Sequence, residues 1–337
     1  MAIRRNAPIE VIRCLVDANP SATTTRDRGD GLPLRRAIES QASLEVLQCL
    51  CTSKLIVLDV DRHVQNTALH GSLECGTARA STVQLLTRVA PEVALIQNRY
   101  GETPLSLACQ RYMKIRGHGR DSTSVDQLWN IVVLLLRAAY YDFPTATCDG
   151  YHDPHESLVL HAALCMGMPH EIILKAIQSF PEQAAMPGKD GLYPLLIVIK
   201  SMKINNQREI LLRILDLYPD AALAPDQNGR TALSLLAEAD TFDVDVFRRL
   251  WKANPDAGKQ IDPVHGIFPF QVAALPKTMD DSKTKEKAAE RNQLSAIFEL
   301  LSTEPSILWR SEGLLPQQEI EQTHVTKSDS SKVAFTP

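Results

Sequence analysis

The chain repeats one short phrase at nearly constant spacing, and this repetition constrains the fold more than any other feature of the sequence. The clearest copy runs from Asn98 to Ala108 and reads Asn-Arg-Tyr-Gly-Glu-Thr-Pro-Leu-Ser-Leu-Ala. Gly101 can adopt the positive φ of a tight turn, and Thr103 can cap a helix. Pro104 suits the first helical position, where its missing N–H is harmless. The phrase therefore predicts a turn that leads directly into a helix.

Six further stretches carry parts of the same phrase in the same order. With the first copy included, the aligned leucine or phenylalanine falls at positions 34, 69, 105, 160, 195, 233 and 270. The steps between these positions are 35, 36, 55, 35, 38 and 37 residues. Self-similarity at such a period is typical of repeat proteins, in which each unit packs on its neighbours. The one long step predicts an inserted segment.

A second phrase marks the end of each unit. A proline follows each apolar helical run, and several of these prolines precede an acidic residue and an alanine: Pro20, Pro91, Pro144, Pro181, Pro219, Pro255 and Pro305. Proline at this point stops the preceding helix. Each unit is predicted to contain a turn, a helix, a second turn, a second helix and a stop. The first predicted helix, Pro8–Ala18, corresponds to the second helix of a unit whose first helix is absent. This indicates either that the chain begins with a capping half-unit or that it is a fragment of something longer.

Residues 1–309 are predicted to form one array of these units, and residues 310–337 a disordered polar tail. An apolar fraction of 44% is ample for the core of such an array. The apolar link 55–60 is predicted to be extended because of its position between two units. Insertions near 111–126, 145–157 and 276–289 interrupt the period.

Two of the insertions contain residue types that bear on function. The segment 111–126 is the most basic part of the chain and is interpreted as a solvated loop, with contact to an acidic or phosphorylated partner as the alternative. The segment 145–157 contains residues that can bind metals: Cys148, Asp149, His152, Asp153, His155 and Glu156. Their spacing fits no zinc pattern, so we predict an ordinary loop, without metal or cofactor.

Composition and charge exclude several classes of protein. The net charge is −4, with 36 basic and 40 acidic residues interspersed, whereas nucleic-acid readers carry a basic stripe. No apolar run reaches the length of a membrane span. The seven cysteines include no CxxC pair, which favours a reducing, intracellular location in the cytoplasm or the nucleus. We therefore expect a protein that does not bind nucleic acid and has no membrane span. We also expect it to be a monomer.

The sequence contains no recognised catalytic motif, with no GxSxG, Walker loop or HExxH. His161 and Cys165 lie four residues apart and could share one helical face. A cysteine nucleophile would need an electropositive environment and an orienting third group. Because the repeat register gives His161 a structural place between units, we predict that the chain is not an enzyme.

The repeated phrase resembles the ankyrin repeat over roughly residues 8–305. The family's Asp-x-x-Gly-x-Thr-Pro-Leu-His-x-Ala is matched at Asn98, Gly101, Thr103, Pro104, Leu105 and Ala108, and at Asp226, Gly229, Thr231 and Leu233. The family's histidine is matched by His70 and His161, whereas Ser106 and Ser234 replace it. The resemblance implies an all-α, ankyrin-type helical repeat solenoid of about seven helix-turn-helix units, with half-units at the ends.

The resemblance also implies a non-catalytic scaffold that binds a partner protein through its turn tips and inner helices. The turn residues expected to contact the partner are Arg28, Asp30, Arg99, Tyr100, Glu102, Lys189, Leu192, Gln227, Asn228, Arg230, Val264, His265 and Ile267. Two alternatives stay open. One is a targeting or regulatory part of a larger enzyme or receptor, and the other is a different helical solenoid, such as tetratricopeptide or HEAT repeats.

Overall fold

The computed structural model describes residues 7–27, 29, 31–117, 122–140, 158–188, 190–201, 206–239, 243–274, 297–298 and 301–302. Across these residues the regular structure is helical, and extended pairing is limited to one antiparallel bridge between Val60 and Thr67. The all-α prediction is confirmed. The chain forms two compact units, Met1–Ile210 and Leu211–Pro337.

The helices follow one another in the order that the repeated phrases predict. The α-helices are α1 (Ile9–Ala18), α2 (Pro33–Glu39), α3 (Leu44–Leu50), α4 (Lys54–Val57), α5 (Ala68–Cys75), α6 (Ala80–Val89), α7 (Pro104–Gly117), α8 (Ser122–Tyr140), α9 (Val159–Cys165), α10 (His170–Ser179), α11 (Pro194–Lys200), α12 (Gln207–Leu217), α13 (Ala232–Glu238), α14 (Val244–Ala253) and α15 (Pro269–Ala274). None of the helices in the described parts of the chain is both long and apolar enough to cross a membrane.

The aligned leucines form the centre of the core. Leucines 34, 69, 105, 160, 195 and 233 are each at most 1% exposed, and Phe270 is 9% exposed. Four helices pack against the helix that follows them, namely α2 on α3, α7 on α8, α9 on α10 and α13 on α14. First helices also pack on the first helix of the next pair, as with α2 and α5, α5 and α7, α9 and α11, and α13 and α15. Each pair therefore buries its apolar faces against itself and its neighbours.

The turn phrase forms the capped helix start that the sequence predicts. The hydroxyls of Thr67, Thr103 and Thr231 accept the backbone N–H three residues later, at 3.4, 3.0 and 3.2 Å. Gly101 and Gly229 have φ values of 76° and 77°, which an L side chain adopts only with strain. These contacts fix where α5, α7 and α13 begin, whereas α2, α9 and α11 begin without a side-chain cap.

The prolines of the second phrase end one helix and begin another short one. They open 3₁₀ turns at Pro20–Thr24, Pro91–Ala94, Pro181–Ala185, Pro219–Ala222 and Pro255–Lys259. In each case the residue before the proline has left helical geometry, with φ between −137° and −148°. The predicted helix stop is confirmed, and the 3₁₀ turn shows how the chain is redirected toward the next unit. Pro144 and Pro305 lie outside the described residues.

The structure corrects two predictions about irregular segments. Most of the segment 111–126 is helical rather than a loop, because α7 continues to Gly117 and α8 begins at Ser122. Part of the link 55–60 is also helical rather than extended, because α4 includes its first residues. The side chains of Ile56 and Val57 are buried in this short helix. The insertions near 145–157 and 276–289 and the tail 310–337 fall outside the described residues.

Candidate partner-binding surface at the turn tips

Several turns are closed by one side chain that accepts hydrogen bonds from the backbone ahead of it, whereas the turn 188–192 has Gly188 at this position and is closed by backbone hydrogen bonds. The Oδ1 atom of Asn98 accepts the backbone N–H groups of Tyr100 at 2.9 Å and Glu102 at 3.0 Å. The equivalent Asp226 accepts those of Asn228 at 2.9 Å and Arg230 at 2.8 Å. Asn and Asp favour such turns because a short side-chain oxygen substitutes for a backbone acceptor. The tips are therefore preorganised loops rather than loose connections.

Within Met1–Ile210, two consecutive tips lie side by side. The backbone N–H of Arg99 donates to the carbonyl of Val64 at 2.8 Å, and its guanidinium donates to the carbonyl of His63 at 3.2 Å. The amide of Asn98 also donates to Oδ1 of Asn66 at 3.1 Å. The turns 61–66 and 98–102 consequently present their side chains as one continuous surface, which we call the tip surface.

The structure divides the predicted contact residues into two groups. Five are exposed, namely Arg99, Tyr100, Gln227, Asn228 and Val264, and Tyr100 exposes 72% of its surface. Five others are partly or fully buried within the turns, namely Glu102, Leu192, Arg230, His265 and Ile267. Arg28, Asp30 and Lys189 lie outside the described residues. The exposed group is the one whose side chains can reach a partner.

Arg230 is held inside a charged network and is not an exposed contact. It is only 7% exposed, with Nε at 2.8 Å from Oδ1 of Asp262 and Nη1 at 2.6 Å from Oε2 of Glu238. The Nδ1 atom of His265 lies 2.6 Å from the second carboxylate oxygen of Asp262. Burial raises the pKa of Asp262, but Arg230 and His265 lower it below its usual value. The network therefore keeps a buried carboxylate ionised and joins two consecutive turns.

His63, which the repeated phrase does not single out, is exposed on the tip surface beside Arg99. Its turn has no glycine, and Gln65 takes the positive φ of 59° instead. The signal that could have located this tip is Asp61, whose carboxylate accepts the N–H groups of His63 and Val64 at 3.0 and 2.7 Å.

The two histidines of the repeated phrase are buried. His70 Nδ1 lies 2.8 Å from the hydroxyl of Thr67, and Nε2 lies 3.1 Å from the carbonyl of Glu102 in the next turn. The predicted backbone contact between units is thus confirmed for His70. Burial lowers the pKa of His161 to about 4. A Cβ atom at Gly188 would lie 2.8 Å from Cδ2 of His161, so the turn that follows packs directly on this ring.

The pair formed by His161 and Cys165 lacks the electrostatics of an activated thiol. Burial raises the pKa of the Cys165 thiol, whereas nucleophilic cysteines have lowered pKa values. His161 itself is fully buried and favours its neutral form. A thiolate–imidazolium pair would need the opposite shift in both groups.

Comparison of the sequence with protein-family models gave no match, and comparison with curated proteins gave none either. The fold is therefore described from its own helix pairs and the contacts between them. Among the residues that the structure describes, polar contacts join several pairs 32 positions apart: Asn66 with Asn98, His70 with Glu102, Ala222 with Asn254, and Arg230 with Asp262. A repeating unit is built into the hydrogen bonding of this chain as well as into its sequence.

Proposed function

We propose that the chain is a non-catalytic protein-interaction module of the ankyrin type, a helical repeat solenoid that binds a partner protein through its turn tips and inner helices. The repeated turn phrase, the helix pairs and the polar contacts 32 residues apart support this assignment. Ankyrin repeats share the hairpin turn with Gly, Thr and Leu at these positions, whereas tetratricopeptide and HEAT repeats need no such tip.

The observation that carries the binding role is the tip surface, where His63, Arg99 and Tyr100 are exposed on two adjoining turns. Tyrosine and arginine are enriched among the residues that dominate binding energy at interfaces. Because side-chain hydrogen bonds already fix these turns, little ordering entropy is lost when a partner binds. Exposed anchors on rigid loops are the arrangement that favours specific recognition.

The test is a comparison of partner capture by three forms of the full chain. The tip variant changes Arg99 and Tyr100 to alanine. The matched control changes Arg88 on α6 and Leu55 on α4 to alanine, since both side chains are exposed away from the tips. Circular dichroism should show equal helix content in all three.

We expect a partner protein, identified by mass spectrometry, that the unchanged chain and the control capture from cell lysate and the tip variant does not. Truncation of two interface anchors typically weakens binding by at least tenfold. Equal capture by the tip variant would move the site away from the tips. The absence of any captured protein would count against the interaction module itself.

A further inference from the structure

The ring of His70 joins the start of α5 to the turn 98–102. His70 is 0% exposed, and its Nε2 atom lies 3.1 Å from the carbonyl oxygen of Glu102. On the other side of the ring, Nδ1 accepts the backbone N–H of Thr67, the residue that caps α5, at 3.1 Å. Because Nδ1 is an acceptor, the neutral ring carries its proton on Nε2 and donates it to the Glu102 carbonyl. A single neutral tautomer therefore makes both contacts.

A second proton on this ring would remove the acceptor of the Thr67 N–H. Thr67 is itself 0% exposed, so water cannot replace Nδ1 while the start of α5 stays closed. The Thr67 hydroxyl lies 2.8 Å from Nδ1 and could accept the new proton, but the backbone N–H would then face a donor. A buried donor without an acceptor destabilises the closed arrangement. The cationic ring therefore favours a form in which the start of α5 is open to water.

The charged groups around the ring do not reverse this preference. Burial lowers the pKa of His70 below its usual value, and the Glu102 carbonyl and the carboxylates of Glu74, Glu102 and Asp61 offset only part of that shift. Asp61 is also paired with Arg35 of α2, with Nη1 at 2.9 Å from Oδ2. A ring that is exposed by local opening has the ordinary pKa of about 6.5. Acid therefore favours the open form over the closed one.

The next copy of the phrase has a residue that does not titrate at the same position. The Oγ atom of Ser106 accepts the backbone N–H of Thr103 at 2.9 Å, as Nδ1 of His70 does for Thr67. A serine hydroxyl stays neutral in mild acid, so the start of α7 keeps its acceptor when the start of α5 loses one. Two helix starts with the same capping contact thus differ in their response to pH.

The His70 ring lies beneath the place where the two turns of the tip surface meet. The residue before Thr67 is Asn66, whose Oδ1 accepts the amide of Asn98 at 3.1 Å, and Val64 accepts the backbone N–H of Arg99 at 2.8 Å. Opening at Thr67 therefore disturbs the turn 61–66, while loss of the ring contact releases the turn 98–102.

We propose that His70 is an acid-sensitive contact that holds the tip surface together. Protonation of its ring opens the start of α5 and releases the turn 98–102, so the two turns separate while α7 keeps its capped start. The separation does not depend on a partner, whereas a loss of partner binding in acid also rests on the proposed function.

The experiment measures amide hydrogen exchange of the full chain at pH 7.5 and pH 5.0, expressed as protection factors so that the intrinsic effect of pH on exchange is removed. We expect the protection of the Thr67 and Arg99 amides to fall in acid, by up to about thirtyfold, which is the limit set by a pKa of about 6.5 in the open form. The Thr103 amide should keep its protection, because its acceptor is the hydroxyl of Ser106.

Two variants and one spectroscopic measurement assign the effect to this ring. His70→Ser gives α5 the residue that α7 has, and it should make the protection of the Thr67 and Arg99 amides independent of pH. His170→Gln removes a partly buried histidine from α10 in the same unit and should leave the pH dependence as it is. In the unchanged chain, ¹H–¹⁵N spectra of the His70 ring should show a proton on Nε2 at pH 7.5 and a pKa below about 6.5.

Four outcomes would overturn the inference. The first is unchanged protection of the Thr67 and Arg99 amides at pH 5.0, and the second is an equal fall at Thr103. The third is a pH dependence that persists in His70→Ser. The fourth is a His70 ring that carries its proton on Nδ1, or whose pKa in the folded chain is not lowered, and this last result needs no variant that folds.

Discussion

A buried histidine connects the stability of the fold to pH at the scale of one residue. His161 is fully buried and its pKa is lowered from 6.5 to about 4, so the folded chain keeps the ring neutral. The unfolded chain binds a proton near pH 6.5. The contribution of the neutral ring to the free energy of unfolding is therefore fully present above pH 6.5. It decreases as the pH falls toward 4, by up to about 3 kcal/mol.

We predict that His161→Gln removes this part of the pH dependence. Urea unfolding should show a large decrease in the free energy of unfolding between pH 7 and pH 4.5 for the unchanged chain and a smaller decrease for the variant. His63→Gln provides the control, because His63 is exposed and should leave the difference as it is. An unchanged pH dependence in His161→Gln would show that other groups cause the acid sensitivity.

Residue roles in the turns could be predicted only where they depend on local chemistry. Gly101 and Thr103 have the roles that the phrase predicts, because positive φ and helix capping involve neighbours in sequence. Arg230 was predicted as a partner contact, yet it is buried against Asp262 in the next turn. Nothing near Arg230 in the sequence reveals this pairing, which depends on how two turns 32 residues apart come together.

At the scale of elements, α7 shows where the sequence patterns were misread. Its buried residues Leu105, Ala108, Cys109 and Tyr112 follow helical spacing, so the apolar stripe continues into the segment that we predicted as a loop. The basic residues that suggested a loop are good helix formers. Tyr112 then packs against Trp129 of α8, with ring centroids 5.5 Å apart, and this contact stabilises the longer helix.

We predict that Tyr112→Ala destabilises the chain by about 3–5 kcal/mol, because it leaves a cavity where an aromatic ring is 1% exposed. Tyr100→Ala removes the same group from a site that is 72% exposed and should cost less than about 0.5 kcal/mol. Urea midpoints of the two variants give the comparison. Similar midpoints would mean that the extension of α7 contributes little to the fold.

At the scale of the whole molecule, cohesion depends on contacts between consecutive helix pairs. The sequence predicts the period and the apolar positions, because these recur in each copy of the phrase. It does not predict which polar contacts join one pair to the next. Arg230 with Asp262 and Arg249 with Asp216 are contacts of this kind in the described part of Leu211–Pro337, and they differ mainly in burial.

This difference leads to a prediction about how strongly each contact holds neighbouring pairs together. The Asp262 side chain is 0% exposed, so Arg230→Ala leaves a buried carboxylate without its main partner and should cost about 3–5 kcal/mol. The Arg249 and Asp216 side chains are 49% and 61% exposed, so Arg249→Ala should cost less than about 1 kcal/mol. Urea unfolding of both variants measures the two costs.

A second substitution distinguishes the loss of the attraction between Arg230 and Asp262 from the cost of leaving the Asp262 charge buried without its partner. Adding Asp262→Asn to Arg230→Ala removes the uncompensated carboxylate, and we expect it to restore part of the lost stability, since a neutral amide costs less to bury. Equal costs for Arg230→Ala and Arg249→Ala would contradict the view that burial sets the strength of these contacts. Neighbouring pairs would then be held by their apolar faces alone, and the charged network would serve only to fix their register.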